Sequence, residues 1–429
     1  MPDIRAFKGV LYNPHKITDL SLVVTEPYDV ISPRQQQLYY QADPYNIVRL
    51  ILGKRNRRDN HQHNQYTRAF DFFVDWQKQK ILLQDTQASI YIYSQGFAHQ
   101  HSKKTRTGFV VLLKLEDFAK NAVLPHENTF SHAVEDRLQL LETCQANFSP
   151  IFALFCDSQR KVNQILNQFK SSHQPYLTLK KDGVLHKIWR MSDKRKIARI
   201  RRLLKNQQIF IADGHHRYEA ALNYKIRRQT KKSPSSATNP ANHVMAYLVP
   251  TNNPGLTILP THRVIKVKPK VDLNQAIRNL SQVFEQTKFS NSKQLFSYMR
   301  GARMSSYVFG VYFGKNKFYG LRLKQLKAAS QLLGKQGKNR RRNLDVTILH
   351  SVIIERLLGI RSAEEKIYYT RDAQEAIKLV DCGKYNLTFL LRPTTVRQVQ
   401  KTAQAGEKMP HKSTYFYPKA LTGLVINKL

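Results

Sequence analysis

The sequence predicts a mixed α/β fold of the α+β type, because short apolar runs alternate with segments whose apolar residues recur at helical spacing. The run 150–156 is continuous and apolar, as a buried strand requires, and it follows a helical pattern in 130–147. A further apolar run, 208–212, lies between two helical patterns. Strand and helix therefore follow one another along the chain, as α/β and α+β folds require.

The same patterns predict the remaining elements in chain order. β-branched and aromatic runs predict strands, and apolar residues at helical spacing predict helices. Prolines or polar residues indicate the loops. The predicted strands are 89–94, 107–115 and 243–250, with a hairpin over 307–323. The predicted helices are 64–80, 192–205, 344–358 and 372–380. The predicted loops are 26–33, the mobile surface loop 231–242, which can form a lid near a site, and the basic linker 335–343.

Length and composition limit the class of protein. A chain of 429 residues predicts about two to three domains, and we expect an N-terminal α/β region over 1–160, a core region over 161–343 and a C-terminal helical region over 344–429. No apolar run is long enough for a membrane span and the start lacks a secretion signal, so we expect a cytoplasmic protein with no membrane partner. Three widely spaced cysteines predict a reducing compartment and no structural metal.

The charge of the chain is its most unusual property. The sequence has 70 Lys and Arg against 30 Asp and Glu, for a net charge of +40. Such an excess favours nucleic acid, anionic membranes or phosphorylated ligands as partners. A protein with basic surfaces throughout is the alternative interpretation.

Residues 213–217, with the sequence Asp-Gly-His-His-Arg, carry the strongest functional signal. An apolar strand stops there and a helix begins, so free backbone N–H groups and the positive end of the helix dipole would face an anion. Gly214 would allow a ligand to approach the backbone, and the Arg217 guanidinium matches phosphate or carboxylate. Asp213 can instead be an ordinary helix cap, worth about 1 kcal/mol. Basic residues at a helix start oppose the dipole, which favours a bound anion.

Several motifs in a fixed order resemble the bacterial domain-of-unknown-function family 1015. The resemblance extends over nearly the whole chain. The motifs are Asp-Gly-His-His-Arg at 213–217, Pro-Tyr-Asp-Val-Ile-Ser at 27–32, Asp-Pro-Tyr-Asn at 43–46, His-Glu-Asn-Thr at 126–129, Glu-Asp-Arg at 135–137, Leu-Pro-Thr-His-Arg at 259–263 and the aromatic and basic run 409–419.

The resemblance implies a function. The Asp-Gly-His-His-Arg turn is similar to the phosphate-binding turn of ParB and sulfiredoxin-like proteins, which include free serine kinases. It implies a ParB/sulfiredoxin-like nucleotide-binding core with additional α/β segments, in which Gly214, His215, His216 and Arg217 hold nucleotide phosphates. Asp213 would bind Mg²⁺ or activate a hydroxyl. The implied activity is a phosphotransferase, such as a kinase for free serine or another small hydroxyl-bearing metabolite, with ATP or ADP and Mg²⁺ as cofactors.

Phosphoryl transfer needs a carboxylate near the acceptor hydroxyl as well as a phosphate site. Asp29 is the first candidate, because it lies in a proline-bracketed loop within a family motif. Glu127, beside His126, is the second and Glu26 is the third. Each of these carboxylates can equally be an ordinary surface group.

Other motif residues have two interpretations each. His262 and Arg263 can supply an extra anion contact or can be an ordinary pair at a strand end. The run from Lys412 to Lys419 can fold over a ligand or dock the C-terminus on the core. Residues 135–137 can hold a ligand, or can form a solvated, salt-bridged helix face.

Two other functions remain open from the sequence. A ParB-like nucleic-acid-binding protein is favoured by the basic segments 194–202, 225–232 and 340–342. Such binding would weaken steeply with salt. A regulator that binds a nucleotide without turnover would need Arg217 and release no product.

Overall fold

The computed structural model describes residues 2–100, 102–231, 239–266, 272–303, 306–333, 345–360, 366–410 and 412–429. Within these ranges the protein has the predicted mixed α/β architecture. The chain forms two compact units. The first consists of Met1–Pro125, Thr129–Thr257 and Pro418–Leu429, and the second of His126–Asn128 and Ile258–Tyr417.

The first unit contains helices α1 to α7 and most of the strands. Its helices are α1 (Pro33–Ala42), α2 (Val48–Ile51), α3 (Gln65–Lys78), α4 (Ser131–Cys144), α5 (Lys161–Ser172), α6 (Lys194–Leu204) and α7 (His215–Lys231). Its strands are β1 (Ile4–Arg5), β2 (Val10–Tyr12), β3 (Leu82–Gln84), β4 (Ile90–His99), β5 (Ser102–Lys114), β6 (Val123–Leu124), β7 (Ala146–Asn147), β8 (Ile151–Phe155), β9 (Leu177–Lys181), β10 (Val184–Met191), β11 (Ile209–Asp213), β12 (His243–Pro250) and, near the C-terminus, β21 (Asn427–Lys428).

A mixed sheet organises the first unit. Its strand order is β6-β11-β8-β12-β5-β4-β10-β9, with β1 on β5. The pairs β6–β11 and β8–β12 are parallel and the others are antiparallel. Both β8 and β12 are buried along their whole length, which explains their continuous apolar sequences. The core packs α4, α5, α6 and α7 on this sheet.

The second unit contains the remaining elements. They are β13 (Thr257–Leu259), where the chain enters the unit, β14 (His262–Lys266), α8 (Leu273–Ser281), β15 (Phe284–Phe289), α9 (Ser292–Gly301), β16 (Val308–Tyr312), β17 (Phe318–Leu323), α10 (Leu326–Leu333), α11 (Asp345–Thr347) with its π-helical continuation Ile348–Leu357, β18 (Lys366–Thr370), α12 (Ala373–Asp381), β19 (Leu387–Leu390), α13 (Val396–Gln404) and β20 (Tyr415–Tyr417). Its main sheet has the order β15-β17-β16-β19-β14-β18, and neighbouring strands are antiparallel.

Most predicted elements are confirmed, including the hairpin formed by β16 and β17. The strands predicted at 89–94 and 107–115 are confirmed as β4 and β5, and the polar stretch between them continues the same pairing. It extends both strands into the long β4–β5 hairpin, in which Gln95 and Arg106 are cross-strand neighbours. Burial of these two polar residues is possible because each hydrogen-bonds to the other and to backbone.

Some predictions lie outside the described residues. The basic linker 335–343 is one, and most of the loop 231–242 is another. The domain boundaries predicted at residues 160 and 343 stay predictions. No helix in the described ranges is long and apolar enough to cross a membrane.

Candidate functional site

The Asp-Gly-His-His-Arg motif forms a strand, a tight turn and a helix, as predicted. Strand β11 is buried up to its last residue, and its pairing with β8 is irregular between Ile211 and Asp213. Gly214 follows with a φ of +87°, a left-handed conformation that other residues adopt only with strain. Helix α7 begins at His215. The irregularity and the glycine together turn Asp213 out of the sheet at the start of the helix.

The space beside Gly214 is filled by Arg217 from the first turn of α7. A Cβ atom at position 214 would lie 2.8 Å from Arg217 Nη2. The guanidinium donates to Asp213 Oδ2 at 3.2 Å, to Ser149 Oγ at 3.1 Å and to the carbonyl of Pro150. Gly214 therefore leaves room for the Arg217 side chain to fold back over the turn. The predicted close approach of a ligand at Gly214 stays a prediction.

Lys419 also binds Asp213. Its Nζ atom donates to Asp213 Oδ1 at 2.8 Å, and the two side chains are 9% and 17% exposed. Lys419 belongs to the C-terminal segment of the first unit, whose backbone is held by the sheet. Gln95 donates to the carbonyl of Lys419 at 2.9 Å, and Arg106 donates to the carbonyl of Pro418. The C-terminal segment is therefore docked on the sheet, and its Lys419 places a positive charge beside the motif.

Arg106 adds a third, fully buried cation. Its guanidinium lies 4.8 Å from the ring centre of Phe152 and 5.8 Å from that of Tyr247. Burial lowers its pKa, while nearby tyrosines and Asp213 act in the opposite direction. We call Asp213, Arg217, Lys419 and Arg106 the Asp213 cluster. One carboxylate balances only part of three positive charges, so the Asp213 cluster is electrostatically suited to an anion.

Three sequence motifs meet at Tyr28. The guanidinium of Arg137 lies 3.9 Å from the centre of the Tyr28 ring. Burial raises the pKa of Tyr28 to about 12, and the charges of Arg137, Asp29, Arg217 and Asp136 also act on it. Tyr28 and the exposed Asp29 lie in a 3-10 turn, Tyr28–Val30. Tyr28, the neighbour of Asp29, thus lies within electrostatic range of Arg217.

The interpretation of residues 135–137 as a solvated helix face is wrong for Arg137. Arg137 is buried, and it donates to the carbonyl of Ile51 at 2.8 Å as well as to Asp136. Asp136 accepts from Tyr66 at 2.8 Å. Glu135 is exposed and pairs with Arg227, as a solvated face predicts. Helical position decides the difference, because Arg137 points toward the core and Glu135 does not.

The two histidines of the motif differ in their surroundings. His215 is buried, and His216 is half-buried beside Phe130. His216 Nε2 accepts the backbone N–H of Phe130 at 3.1 Å, and the two rings stack with centres 6.1 Å apart. His216 therefore connects α7 to Phe130, the residue that precedes α4. Phosphate binding by His215 and His216 stays a prediction.

Two cations of the protein bind the Asp213 carboxylate in this arrangement. Each of its oxygens is bound to a cation, whereas Mg²⁺ needs oxygen ligands around it. Among the described residues no group of three or more His, Cys, Asp or Glu side chains could hold a metal ion. The role of Asp213 as a Mg²⁺ ligand stays a prediction.

His126 and Glu127 belong to the second unit. Thr414 links them, because its Oγ1 lies 3.0 Å from His126 Nε2 and 3.2 Å from Glu127 Oε1. The backbone N–H of Met409 donates to the carbonyl of His126 at 2.7 Å. The motifs at 126–129 and 409–419 therefore fold against each other. The catalytic role of Glu127 stays a prediction.

Arg263 is a fully buried cation of the second unit. Its guanidinium donates to the carbonyls of Thr261 and Lys412, and its Nε donates to His350 Nε2 at 3.3 Å. Burial lowers the pKa of Arg263 to about 10, with Glu127 acting in the opposite direction.

His262 and Lys412 lie close to Arg263. Burial lowers the pKa of His262 to about 4, and its Nδ1 accepts the N–H of Leu391 at 3.1 Å. Lys412 Nζ lies 4.8 Å from the ring centre of Tyr369. The second unit thus collects the predicted residues His126, Glu127, His262, Arg263 and Lys412. The first unit contains the predicted residues Asp29 and 213–217. The anion contacts predicted for Arg263, His262 and Lys412 stay predictions.

Sequence reasoning missed several residues of the first unit's site. Lys419 is the last residue of the 409–419 motif, and its place in that motif is the sequence signal that could have identified it. Tyr28 and Arg137 also lie in family motifs. Arg106 and Ser149 carry no local signal, because only tertiary packing brings them to Arg217 and the C-terminal segment.

The fold and site define a mixed α/β protein with a candidate anion site at the start of α7. The family model described as "Protein of unknown function (DUF1015)" matches residues 4–347. The chain therefore belongs to the DUF1015 family, as its motifs indicate. No curated protein matches it.

Solved structures of low similarity also match. A conserved hypothetical protein from Pyrococcus furiosus is 12% identical with a TM-score of 0.35, over 72% of this chain and 90% of that one. Free serine kinase in complex with AMP is 12% identical with a TM-score of 0.34, over 72% of this chain and 86% of that one. SbnI from Staphylococcus aureus, with a C-terminal truncation, is 10% identical with a TM-score of 0.35, over 73% and 85%. Similarity this low says nothing about what this chain binds.

Proposed function

We propose that this protein is a nucleotide-dependent phosphotransferase that binds the phosphates of ATP or ADP at the start of α7. The acceptor is a small hydroxyl-bearing metabolite such as free serine. The observation that carries the proposal is the pairing of one carboxylate, Asp213, with both Lys419 and Arg217 at a helix N-terminus. Cations and helix N–H groups aimed at one point are what phosphate binding requires.

Charge neutralisation is the main contribution that the Asp213 cluster would make. The side chains of Arg217 and Lys419 are only 11% and 9% exposed, so their attraction for a phosphate is weakly screened by water. Asp213 holds both groups in place before a ligand arrives. Such preorganised charge lowers the barrier to phosphoryl transfer, in which protein groups chiefly position and neutralise the reactants.

Asp29 is the carboxylate that we assign to the acceptor. In the proposed step the acceptor hydroxyl oxygen forms a bond to the transferred phosphorus while the bond from that phosphorus to the leaving nucleotide oxygen breaks. The hydroxyl proton passes to the Asp29 carboxylate. The support is that Asp29 is exposed and acts on the same tyrosine, Tyr28, as Arg217 does.

The proposal is tested by incubating the full chain with ATP or ADP and a panel of hydroxyl-bearing amino acids, with and without Mg²⁺. Phosphorylated product is detected by mass spectrometry. We expect product with the wild-type protein and a loss of about tenfold to a hundredfold for Arg217→Lys, since charge-assisted hydrogen bonds contribute about 1.5–3 kcal/mol.

Arg201→Lys is the matched control. Arg201 also forms a two-point pair with an aspartate, Asp3, at 2.6 and 2.8 Å, but it lies on α6. Product formation should be unchanged in this variant. Equal losses in Arg217→Lys and Arg201→Lys, or no product under any condition, would contradict the proposal.

A second candidate function, nucleic-acid binding, is favoured by helix α6. Five exposed basic residues of α6 and its C-cap fall within about 140° of the helix circumference at 3.6 residues per turn. None of them forms an ion pair with a described residue, whereas the flanking Lys196 and Arg201 do. The outward-facing residues are Lys194, Arg195, Arg199, Arg202 and Lys205.

A continuous basic face suits the phosphate backbone of DNA or RNA. Affinity should then fall steeply with salt and drop in the double variant Arg199→Gln/Arg202→Gln, with Arg57→Gln/Arg58→Gln as the control pair of exposed arginines. Salt-independent binding, or equal loss in the two double variants, would rule this function out.

A further inference from the structure

A cavity of about 330 Å³ lies in the first unit between α3, α4 and the turn that follows α2. We call it the α3–α4 cavity. Its polar and charged lining consists of Gln36, Arg55, Gln65, Tyr66, Asp136 and Arg137. Leucine and isoleucine side chains at positions 50–52 and at Leu140 supply the apolar lining. A volume of this order suits a small metabolite, and a few polar groups in an apolar pocket set its orientation.

We propose that the α3–α4 cavity binds a small carboxylic acid that also carries an amine or hydroxyl group. The carboxylate of this acid pairs with Arg55, and its amine or hydroxyl donates to Asp136. On the basis of the proposed function, this acid is the phosphoryl acceptor.

Asp136 is a fixed acceptor. Its Oδ1 accepts from the Tyr66 hydroxyl at 2.8 Å and from Gln65 Nε2 at 3.4 Å. Its Oδ2 accepts from Arg137 Nε at 2.8 Å and from Arg137 Nη2. Two carboxylate oxygens have about four acceptor positions, so a donor from a ligand would take the place of Gln65, whose bond at 3.4 Å is the longest of the four. The Asp136 side chain is 23% exposed, which leaves it accessible from the cavity.

Arg55 is a donor at the rim of the cavity. Its Nε donates to Gln65 Oε1 at 3.1 Å, which orients the guanidinium. Its Nη2 lies 3.8 Å from Asp136 Oδ1, beyond hydrogen-bond distance, and its side chain is 76% exposed. A carboxylate is the ligand group that matches a guanidinium in this position. Groups of opposite charge thus lie on one side of the cavity, where an amino or hydroxy acid can contact both.

The α3–α4 cavity adjoins the phosphate site. A smaller cavity of about 50 Å³ is lined by Arg217 and Ser149, and it shares Ile51, Arg137 and Leu140 with the larger one. Arg137 therefore stands between the acid and Arg217. In the transfer step the hydroxyl oxygen of the acid forms the new bond to phosphorus, the bond to the nucleotide breaks, and the hydroxyl proton passes to Asp29.

The test is calorimetric titration of the full chain, without nucleotide, with L-serine, L-homoserine, D-glycerate and glycerol. We expect the acids to bind and glycerol, which lacks a carboxylate, to bind at least about tenfold more weakly. Arg55→Ala should weaken acid binding by about tenfold or more. Arg57→Ala, which removes an exposed arginine from the same loop but outside the cavity, should not.

A second variant keeps the test independent of folding. Tyr66→Phe removes only the hydroxyl that orients Asp136, and it should weaken acid binding severalfold with little change in thermal stability. Acid binding without nucleotide binding would support the cavity while contradicting the proposed function. Three results would overturn this inference and leave the proposed function untouched. The first is glycerol binding as tightly as the acids, and the second is an equal loss of affinity in Arg55→Ala and Arg57→Ala. The third result is transfer to an acceptor that Arg55→Ala does not affect.

Discussion

The ammonium group of Lys419 lies 2.8 Å from Asp213 Oδ1, although 206 residues separate the two in the sequence. This pair joins the C-terminal segment to the strand–turn–helix of the family motif. Arg217 binds the other oxygen of the same carboxylate at 3.2 Å. The role of Asp213 follows from this geometry: it holds two cations at the start of a helix.

Replacing Asp213 by Asn should separate binding from transfer. The negative charge beside a bound phosphate disappears, so nucleotide affinity should rise severalfold. The transfer rate should fall, because Arg217 and Lys419 are held less firmly. Calorimetry measures the first effect and product formation the second. Asp3→Asn, which removes the partner of Arg201, is the control and should change neither. A parallel fall in affinity and rate for Asp213→Asn would contradict this role.

Replacing Gly214 by Ala should damage the phosphate site more than the fold. A residue with a side chain at φ +87° is strained by about 1–2 kcal/mol, and the new Cβ would also displace the Arg217 guanidinium. Gly183→Ala is a matched control, since Gly183 has a φ of +76° and a Cβ added there would have no heavy atom within 4 Å. Both variants should lose similar thermal stability, but only Gly214→Ala should lose nucleotide affinity. Equal affinities would show that Arg217 does not need Gly214.

Tyr28 should stabilise the protein through its aromatic ring and not through its hydroxyl. Tyr28→Phe keeps the face that Arg137 covers at 3.9 Å, whereas Tyr28→Leu removes it. The cation–π contact is worth about 0.5–2 kcal/mol, so Tyr28→Leu should lower the unfolding midpoint and Tyr28→Phe should leave it nearly unchanged. Thermal denaturation measures the difference. A large loss in Tyr28→Phe would assign the role to the hydroxyl instead.

Buried histidines should make the protein sensitive to acid. Burial lowers the pKa of His186 to about 3, and lowers those of His243, His262 and His350 to about 4, from an ordinary value of 6.5. Below pH 6.5 the unfolded chain takes up protons that the folded chain does not. Stability is therefore fully present above pH 6.5 and is lost as the pH falls toward the folded values.

The measurement is the thermal unfolding midpoint between about pH 7.5 and 4, the range in which these histidines separate the two states. His186→Gln keeps a hydrogen-bond partner for the Tyr93 hydroxyl, which lies 2.7 Å from His186 Nδ1, and should make the midpoint fall less steeply. His15→Gln replaces an exposed histidine and should leave the pH dependence unchanged. An identical slope in the wild type and His186→Gln would contradict the assignment.

Local patterns predicted the elements around the site because each has its own periodicity or turn residue. Strand β11, Gly214 and helix α7 were all recognisable from 208–222, and the β8 strand from its continuous apolar run. The strands predicted at 89–94 and 107–115 stop short of the middle of the β4–β5 hairpin, since Gln95 and Arg106 look like loop residues until the C-terminal segment covers them. Polarity alone does not distinguish a solvated residue from a buried one whose hydrogen bonds are satisfied.

The partners of Asp213 were predictable only in part. Arg217 is four residues away, in the first turn of α7, so the short turn at Gly214 keeps it close to the carboxylate. Lys419 lies within a family motif, but its contact with Asp213 depends on the path of the C-terminal segment. The separation of the predicted residues between two compact units was also beyond local patterns, because it depends on long-range contacts.

Calorimetric titration of the wild-type chain, Arg217→Lys and Arg201→Lys with ADP, ATP and adenosine tests the central claim most directly. If the start of α7 binds nucleotide phosphates, ADP and ATP will bind at least about tenfold more tightly than adenosine, and Arg217→Lys alone will abolish that difference. Adenosine binding as tightly as ADP, or equal losses in Arg217→Lys and Arg201→Lys, would contradict it.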